Sequence, residues 1–123
     1  MGFPADLKYT KDHVWVKVEG DTAKVGITDF AQEQLGDILF VDLPEEGAEL
    51  TAGKVFTEIE SSKTASEVPA PVSGEVVAVN EDLDDSPEAI NEDAYAAWIV
   101  EVKVTDGLDD LISAADYEAG LED

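Results

Sequence analysis

In the stretch "KVFTEIESSKTASEVPAPVSGEVV", Lys54 to Val77, Lys63 is the one cation after Lys54, and every other charged residue from Val55 onward is negative. "KVFTEIE" reads as a strand. After Lys63, "TASEV" resumes extended character, "PAP" forbids helix, and "VSGEVVAVN" runs as a further strand after Gly74. Lys63 therefore falls at a turn between two strands. An exposed turn lysine is ordinarily only a solvated charge. Here strands on both sides predict a rigid tip, the small Ser61, Ser62, Thr64 and Ser66 leave the approach open, and Glu60 and Glu67 bracket the amine. Such an amine suits acylation, because it need only lose its proton inside a modifying enzyme and the amide then hangs on a long, mobile stem.

Working outward, the N-terminal side begins with "HVWVKV". Val14, Val16 and Val18 alternate with His13, Trp15 and Lys17, the period of a half-buried strand. "EGDT" turns the chain into "AKVGI" to form a hairpin. In "TDFAQEQLGD", Thr28 is the expected N-cap, Phe30, Ala31 and Leu35 keep roughly helical spacing, and Gly36 is the stop. "ILFVDL" is a strand halted by Pro44, and "EEGAELTAG" is a turn-rich link.

On the C-terminal side, "DSPEAINED" offers Ser86 as a cap and Pro87 at the first position of a short helical turn. "AAWIVEVKV" alternates Trp98, Val100, Val102 and Val104 against Ile99, Glu101 and Lys103, giving a final strand. Leu108, Leu111, Ile112 and Ala115 then follow helical spacing, and "SAAD", Ser113 to Asp116, resembles a capping box that restarts a helix through Tyr117 and Leu121. The expectation is a β core with helices at its margins, including a C-terminal helical segment over 108–121.

The chain has 123 residues, 44% of them hydrophobic, which implies one domain over 1–123 with its own core. Thirty acidic residues against seven lysines and no arginine give a net charge of −23. That charge repels nucleic acid and anionic membrane surfaces, whose affinity for proteins is supplied mainly by Lys and Arg. It fits docking to basic protein surfaces or hydration in a very salty cytoplasm, and its size favours a high-salt (halophilic) habitat. With no cysteine, the protein has no disulfide, thiolate metal site or thiol nucleophile, so sulfur chemistry would come from an attached group. "MGFPADLKYT" has no basic n-region or apolar run, no segment reaches membrane-span length, and Asp6 breaks a myristoylation signal; a cytoplasmic location is expected.

Other motifs fail on their own chemistry. In "GAELTAGKV", five residues separate Gly47 from Gly53 where a phosphate loop needs four, and Val55 replaces the magnesium-binding hydroxyl. "DLDDSPEAINED", Asp82 to Asp93, echoes a calcium loop but has Pro87 at the sixth position, where the turn demands glycine. His13 is the only histidine and reads as structural or solvated; zinc and a self-sufficient active site are not expected.

"GAELTAGKVFTEIESSKTASEVPAPVSGEVV" resembles the biotinyl/lipoyl domain pattern: a glycine-led turn, a lysine in a hairpin, then V-x-A-P-x-x-G-x-V. Ser62 and Thr64 stand where biotin carriers place methionines, so lipoate is the better reading. The blocks "YTKDHVWV", "VGITDFAQEQLGDILFVDLPEEGAELTAG", "ESSK", "APVSGEVVAVNEDLDDSPEAINEDAY" and Trp98 extend the similarity from Tyr9 to about Tyr117 and make it specific: the chain resembles the glycine cleavage system H proteins. Ordinary lipoyl domains are shorter and lack both the "GITDFAQEQLGD" helix and the C-terminal helix.

This resemblance implies a flattened β barrel or sandwich (a barrel-sandwich hybrid) with the lipoyl-attachment hairpin around 54–77. It implies a monomeric, non-catalytic carrier with (R)-lipoate joined covalently to Lys63. That arm would take the aminomethyl group left when the pyridoxal-phosphate P protein decarboxylates glycine. The T protein would release ammonia and pass the carbon to tetrahydrofolate, and the flavin-dependent L protein would reoxidise the arm, with a lipoate-attaching enzyme as a further partner. Glu67 matches an acidic position that contacts the loaded arm. Between His13 and Trp15 the family usually has Glu where this chain has Val14, which leaves Asp12 as the candidate substitute. Ser62 and Thr64 also replace the commoner Val and Ala, and Ala96-Ala97 stand where a glycine usually precedes the tryptophan. The alternatives are a lipoate-relay or other lipoyl carrier without glycine chemistry, and an unmodified acidic binding module.

Overall fold

A computed structural model describes residues 7–10, 12–107 and 111–121. Among the described residues, nine strands and four helices follow in chain order. The strands β1 (Lys8–Tyr9), β2 (Val14–Glu19) and β3 (Thr22–Ile27) precede the helix α1 (Asp29–Leu35). Next come β4 (Ile38–Val41), β5 (Glu49–Leu50), β6 (Val55–Ser61), β7 (Ala65–Pro69) and β8 (Ser73–Val79). The short helices α2 (Asp82–Asp85) and α3 (Ala89–Glu92), the strand β9 (Val100–Asp106) and the helix α4 (Ala114–Leu121) complete the order.

All strand pairs are antiparallel, in a six-stranded sheet of order β1-β2-β3-β9-β8-β5 and a three-stranded sheet of order β4-β6-β7. Among the described residues the ladder does not close, so of the two expected forms the molecule takes the sandwich. Val14, Val16, Val25, Val76, Val100 and Val102 of the larger sheet share one core cluster with Ile38, Val41, Phe56, Ile59 and Val68 of the smaller. Alternation in the sequence selects the valines of the larger sheet, since a strand with one face on a core places every second side chain inward; in the smaller sheet Ile38 and Val41, and Phe56 and Ile59, lie three apart where the ladder shifts register.

Strand β2 departs from half-burial. Val14, Trp15 and Val16 are all buried, Trp15 only 1% exposed. The opposite face of the large sheet has its own cover, a second cluster of Leu7, Tyr9, Trp15 and Tyr117 with Tyr95, Trp98 and Ile112 packed against it. Gly26 lies opposite Trp15 in the β2–β3 register, and a Cβ there would come within 2.7 Å of the indole. The strand glycine is the flat bed on which the tryptophan lies. Val18, expected on the core face, is instead 42% exposed where β2 runs out to its turn.

The motif glycine Gly74 has a comparable cause. A Cβ on it would sit 2.2 Å from the Lys103 carbonyl oxygen, beside the irregularity in the β8–β9 ladder at Ser73/Gly74.

Helix ends follow the sequence at α1 and depart from it further on. Thr28 caps α1 by accepting from Ala31 N–H at 3.3 Å, and Gly36 ends it at φ 80°. The acidic turn forms two short helices, and α3 starts from Glu88 without a side-chain cap; Ser86 closes α2, its N–H donating to the Asp82 carbonyl. In the tail, Ile112 forms a β-bridge with Tyr9, so 111–112 are not helical; 108–110 lie outside the described residues. Two backbone hydrogen bonds of 2.8 Å to Tyr9 outweigh the helical spacing of the apolar residues. Helix α4 begins where the capping box places it, with Ser113 Oγ accepting from Asp116 N–H at 3.2 Å. No described helix is long and apolar enough to cross a membrane.

Candidate functional site

Strands β6 and β7 form the predicted hairpin, with Glu60 opposite Ala65 as the last pair before Ser62, Lys63 and Thr64 reverse the chain. Inside this turn Ser61 has a role that its residue type alone did not disclose. Its Oγ accepts from Lys63 N–H at 3.3 Å and Thr64 N–H at 3.1 Å and donates to the Thr64 carbonyl at 3.0 Å. Its own N–H donates to that carbonyl at 2.8 Å. The serine thus ties the turn to itself, as short hydroxyl side chains do where backbone groups lack ladder partners.

The tip is also tied to the rest of the molecule. Ser62 N–H donates to the Asp37 carbonyl at 3.0 Å, between the end of α1 and the start of β4. The Lys63 stem passes over the α carbon of Gly36, where an added Cβ would lie 2.9 Å from Cε. Gly36 therefore ends a helix and leaves room for the lysine. Gly36 and Asp37 are the neighbours that sequence reading missed; the signal was present in the "LGD" stop, but nothing local says what packs on it. Asn91 in turn holds this segment, its Oδ1 accepting from Ile38 N–H and its Nδ2 donating to the Gly36 carbonyl, each at 2.8 Å.

Lys63 is exposed, and so is Glu67, four residues on in β7 and opposite Glu58 of β6. Glu58, Glu60 and Glu67 share the outer face of the small sheet, a row of like charges that is unfavourable for the sheet itself. Asp12 is exposed too, its N–H donating to Thr10 Oγ1 at 3.2 Å. Among the described residues, neither Glu67 nor Asp12 is joined to Lys63 by a hydrogen bond or ion pair. Val14, where the resemblance implies a carboxylate, is fully buried in the main core opposite Ile27. An acid with that orientation would bear the cost of burying a charge.

His13 is tied to two aromatic side chains. Its Nδ1 lies 2.6 Å from the Tyr117 hydroxyl, its ring packs on Phe30, and its backbone takes φ 67°, unusual for a non-glycine residue. Burial lowers its pKa below 6.5, with the Asp12 charge opposing that shift. The Tyr117 hydroxyl also bonds Thr28 Oγ1 at 2.8 Å, and burial raises its pKa. Burial likewise pushes Tyr95 up to about 12, against the lowering effect of the hydrogen bond from Asp29 N–H.

A groove of about 660 Å³ lies along Phe40, Leu43, Pro44 and Val79 and is lined by six carboxylates, among them Asp42 and Asp85. Lys63 is not part of it. The chemistry on offer at the lysine is that of one open primary amine on a braced turn, and the braced turn fits an acyl group attached from outside.

The Glycine cleavage H-protein family model matches residues 7–123. The glycine cleavage system H protein of Clostridioides difficile is 57% identical over 120 residues, covering 95% of this chain and 96% of its own length. That of Koribacter versatilis is 55% identical over 120 residues, with 96% and 93% covered. A crystal structure of the glycine cleavage system H protein from Mycobacterium marinum superposes with a TM-score of 0.92 at 40% identity, over 98% of this chain and 99% of that one. Fold, hairpin and sequence similarity agree along the whole described length, and the chain belongs to the glycine cleavage H-protein family.

Proposed function

We propose that this protein is the lipoyl-bearing shuttle of a glycine cleavage system, a carrier without turnover of its own. In this reading Lys63 receives lipoate through an amide and passes the aminomethyl unit of glycine from the P protein to the T protein, with the L protein restoring the arm. The observation that carries the proposal is the Lys63 turn: an open amine on a tip braced internally by Ser61 and externally by the Asp37 carbonyl. A tethered group needs a rigid base and free reach, and the strands supply the first while the lysine stem supplies the second.

When bound, the lipoyl group supplies a disulfide/dithiol couple that the cysteine-free chain does not possess. The absence of protein thiols removes any internal partner for exchange with that couple. Glu67 is the residue proposed to meet the positive charge of the loaded arm, with Asp12 a weaker second candidate. Val14 contributes to the core instead, so protection of the arm rests on fewer carboxylates than the family pattern implies.

Intact mass and peptide mapping after treatment with a lipoate-attaching enzyme test the attachment. The expected result is one lipoyl amide, confined to Lys63, with a loss of one positive charge. Modified protein combined with P, T and L proteins should support glycine-dependent NADH formation, and Lys63→Arg should abolish it while folding normally. An unmodified Lys63 overturns the carrier reading; a modified but inactive protein, beside an active control H protein, favours lipoate relay.

A further inference from the structure

Asn91 is half-buried on α3, remote from Lys63 in sequence, yet its side chain grips the segment on which the lysine lies. An asparagine amide has two donor hydrogens and an acceptor oxygen. Here both hydrogens are used, toward the Gly36 carbonyl at 2.8 Å and Gln32 Oε1 at 2.9 Å, and the oxygen accepts from Ile38 N–H at 2.8 Å. One side chain therefore satisfies a carbonyl left over at the end of α1 and the first amide of β4. Between those two backbone groups sits Asp37, whose carbonyl holds Ser62 N–H, and under Lys63 Cε sits Gly36.

We infer that Asn91 is a positioning residue for the attachment lysine, holding the Gly36–Ile38 backbone as a fixed shelf that aligns the Lys63 turn for covalent loading. The inference rests on the reading of Lys63 as the attachment point. Without the clamp, Gly36 O and Ile38 N–H lose their partners, the shelf samples other conformations, and Ser62 loses a fixed acceptor. Only the aligned fraction of molecules then presents the lysine correctly, so the apparent affinity for an attaching enzyme falls in proportion to that fraction. The acyl transfer that follows docking is unaffected. Gln32 is a secondary support, since it holds Asn91 and is itself held by Asp29 Oδ1 at 2.9 Å.

The test compares unmodified wild type with Asn91→Asp, which keeps the shape and the acceptor but replaces both donors with repulsion toward Gly36 O and Gln32 Oε1. Ile90→Val, a change in the neighbouring buried residue that leaves the clamp intact, controls for lost stability. Asn91→Ser takes the place of Asn91→Asp if the aspartate variant does not fold. Amide exchange at Ser62 should quicken about tenfold in Asn91→Asp and stay at the wild-type rate in Ile90→Val. In lipoate attachment by a purified lipoate ligase, KM for the protein should rise about 3- to 10-fold with kcat within about twofold. Wild-type values of either quantity in a folded Asn91 variant overturn the inference, as do equal changes in Ile90→Val. If wild-type Lys63 takes no lipoate, the attachment reading falls, and with it the claim about loading, while Ser62 exchange still decides whether Asn91 holds the turn.

Discussion

Two regions of this molecule are stabilised by different physics. Around Lys63, order comes from hydrogen bonds among small polar groups: the Ser61 hydroxyl, the Asp37 carbonyl, the Asn91 amide. Around Trp15, it comes from aromatic packing: the indole lies on Gly26 and donates to the Ala94 carbonyl at 3.0 Å, and Tyr9 stacks on Tyr117 with centroids 5.0 Å apart. A handling site must stay open to solvent, so its rigidity cannot come from burying apolar area, whereas the covered face has no such constraint. Changes in the first region should therefore alter presentation with little loss of stability, and changes in the second should do the reverse.

The largest break in this contrast should come from Trp15→Ala. It removes a buried indole and leaves the Ala94 carbonyl without its donor, a loss of about 3–5 kcal/mol. Urea unfolding should show the drop, while the fraction that remains folded is still modified at Lys63. If folded Trp15→Ala resisted modification, the two regions would not be independent. Gly26→Ala probes the same contact from the other side: its methyl must displace the indole, at about 1–3 kcal/mol. An unchanged unfolding midpoint would show that the ring has room to shift and that the glycine is not its bed.

Much of this architecture is legible in the sequence because its determinants are local. The β6–β7 hairpin follows from the strand-forming run before Lys63, the extended character after it and the proline punctuation, and α1 from Thr28 and Gly36. What the sequence withholds is set by distant partners. Trp15 reads as the outward face of a half-buried strand, since nothing near it announces that Leu7, Tyr9 and Tyr117 will cover that face. Ile112 reads as helical until Tyr9 offers it a bridge. At the site, Lys63 is identifiable from its setting, but Gly36, Asp37 and Asn91 are not, because their roles consist of backbone groups brought together by the fold.

Ser61→Ala sharpens the comparison from the handling region. The hydroxyl serves two amides on an exposed turn, where each hydrogen bond contributes about 1 kcal/mol or less, so the unfolding midpoint should move little. Amide exchange at Lys63 and Thr64 should nevertheless accelerate several-fold relative to the β6 core amides. A fall in stability without faster exchange at the turn would place Ser61 with the structural residues instead.

The smallest effect should appear in the pH dependence of the aromatic region. Burial holds the His13 imidazole below its ordinary 6.5, with the Asp12 charge working the other way. A folded-state pKa below the unfolded one means that the unfolded chain binds more protons between the two values. The stabilisation from neutral His13 is thus complete above pH 6.5 and is lost as the pH falls through the folded-state pKa. His13→Asn removes the titration while suiting the positive φ, because asparagine tolerates the left-handed region better than most residues. Urea unfolding of both proteins at pH 7, 6 and 5, in molar KCl to screen the carboxylates, should show the advantage of wild type over the variant shrinking as the pH falls. A constant difference across that range would mean that His13 contributes only through packing on Phe30 and that its bond to Tyr117 survives protonation.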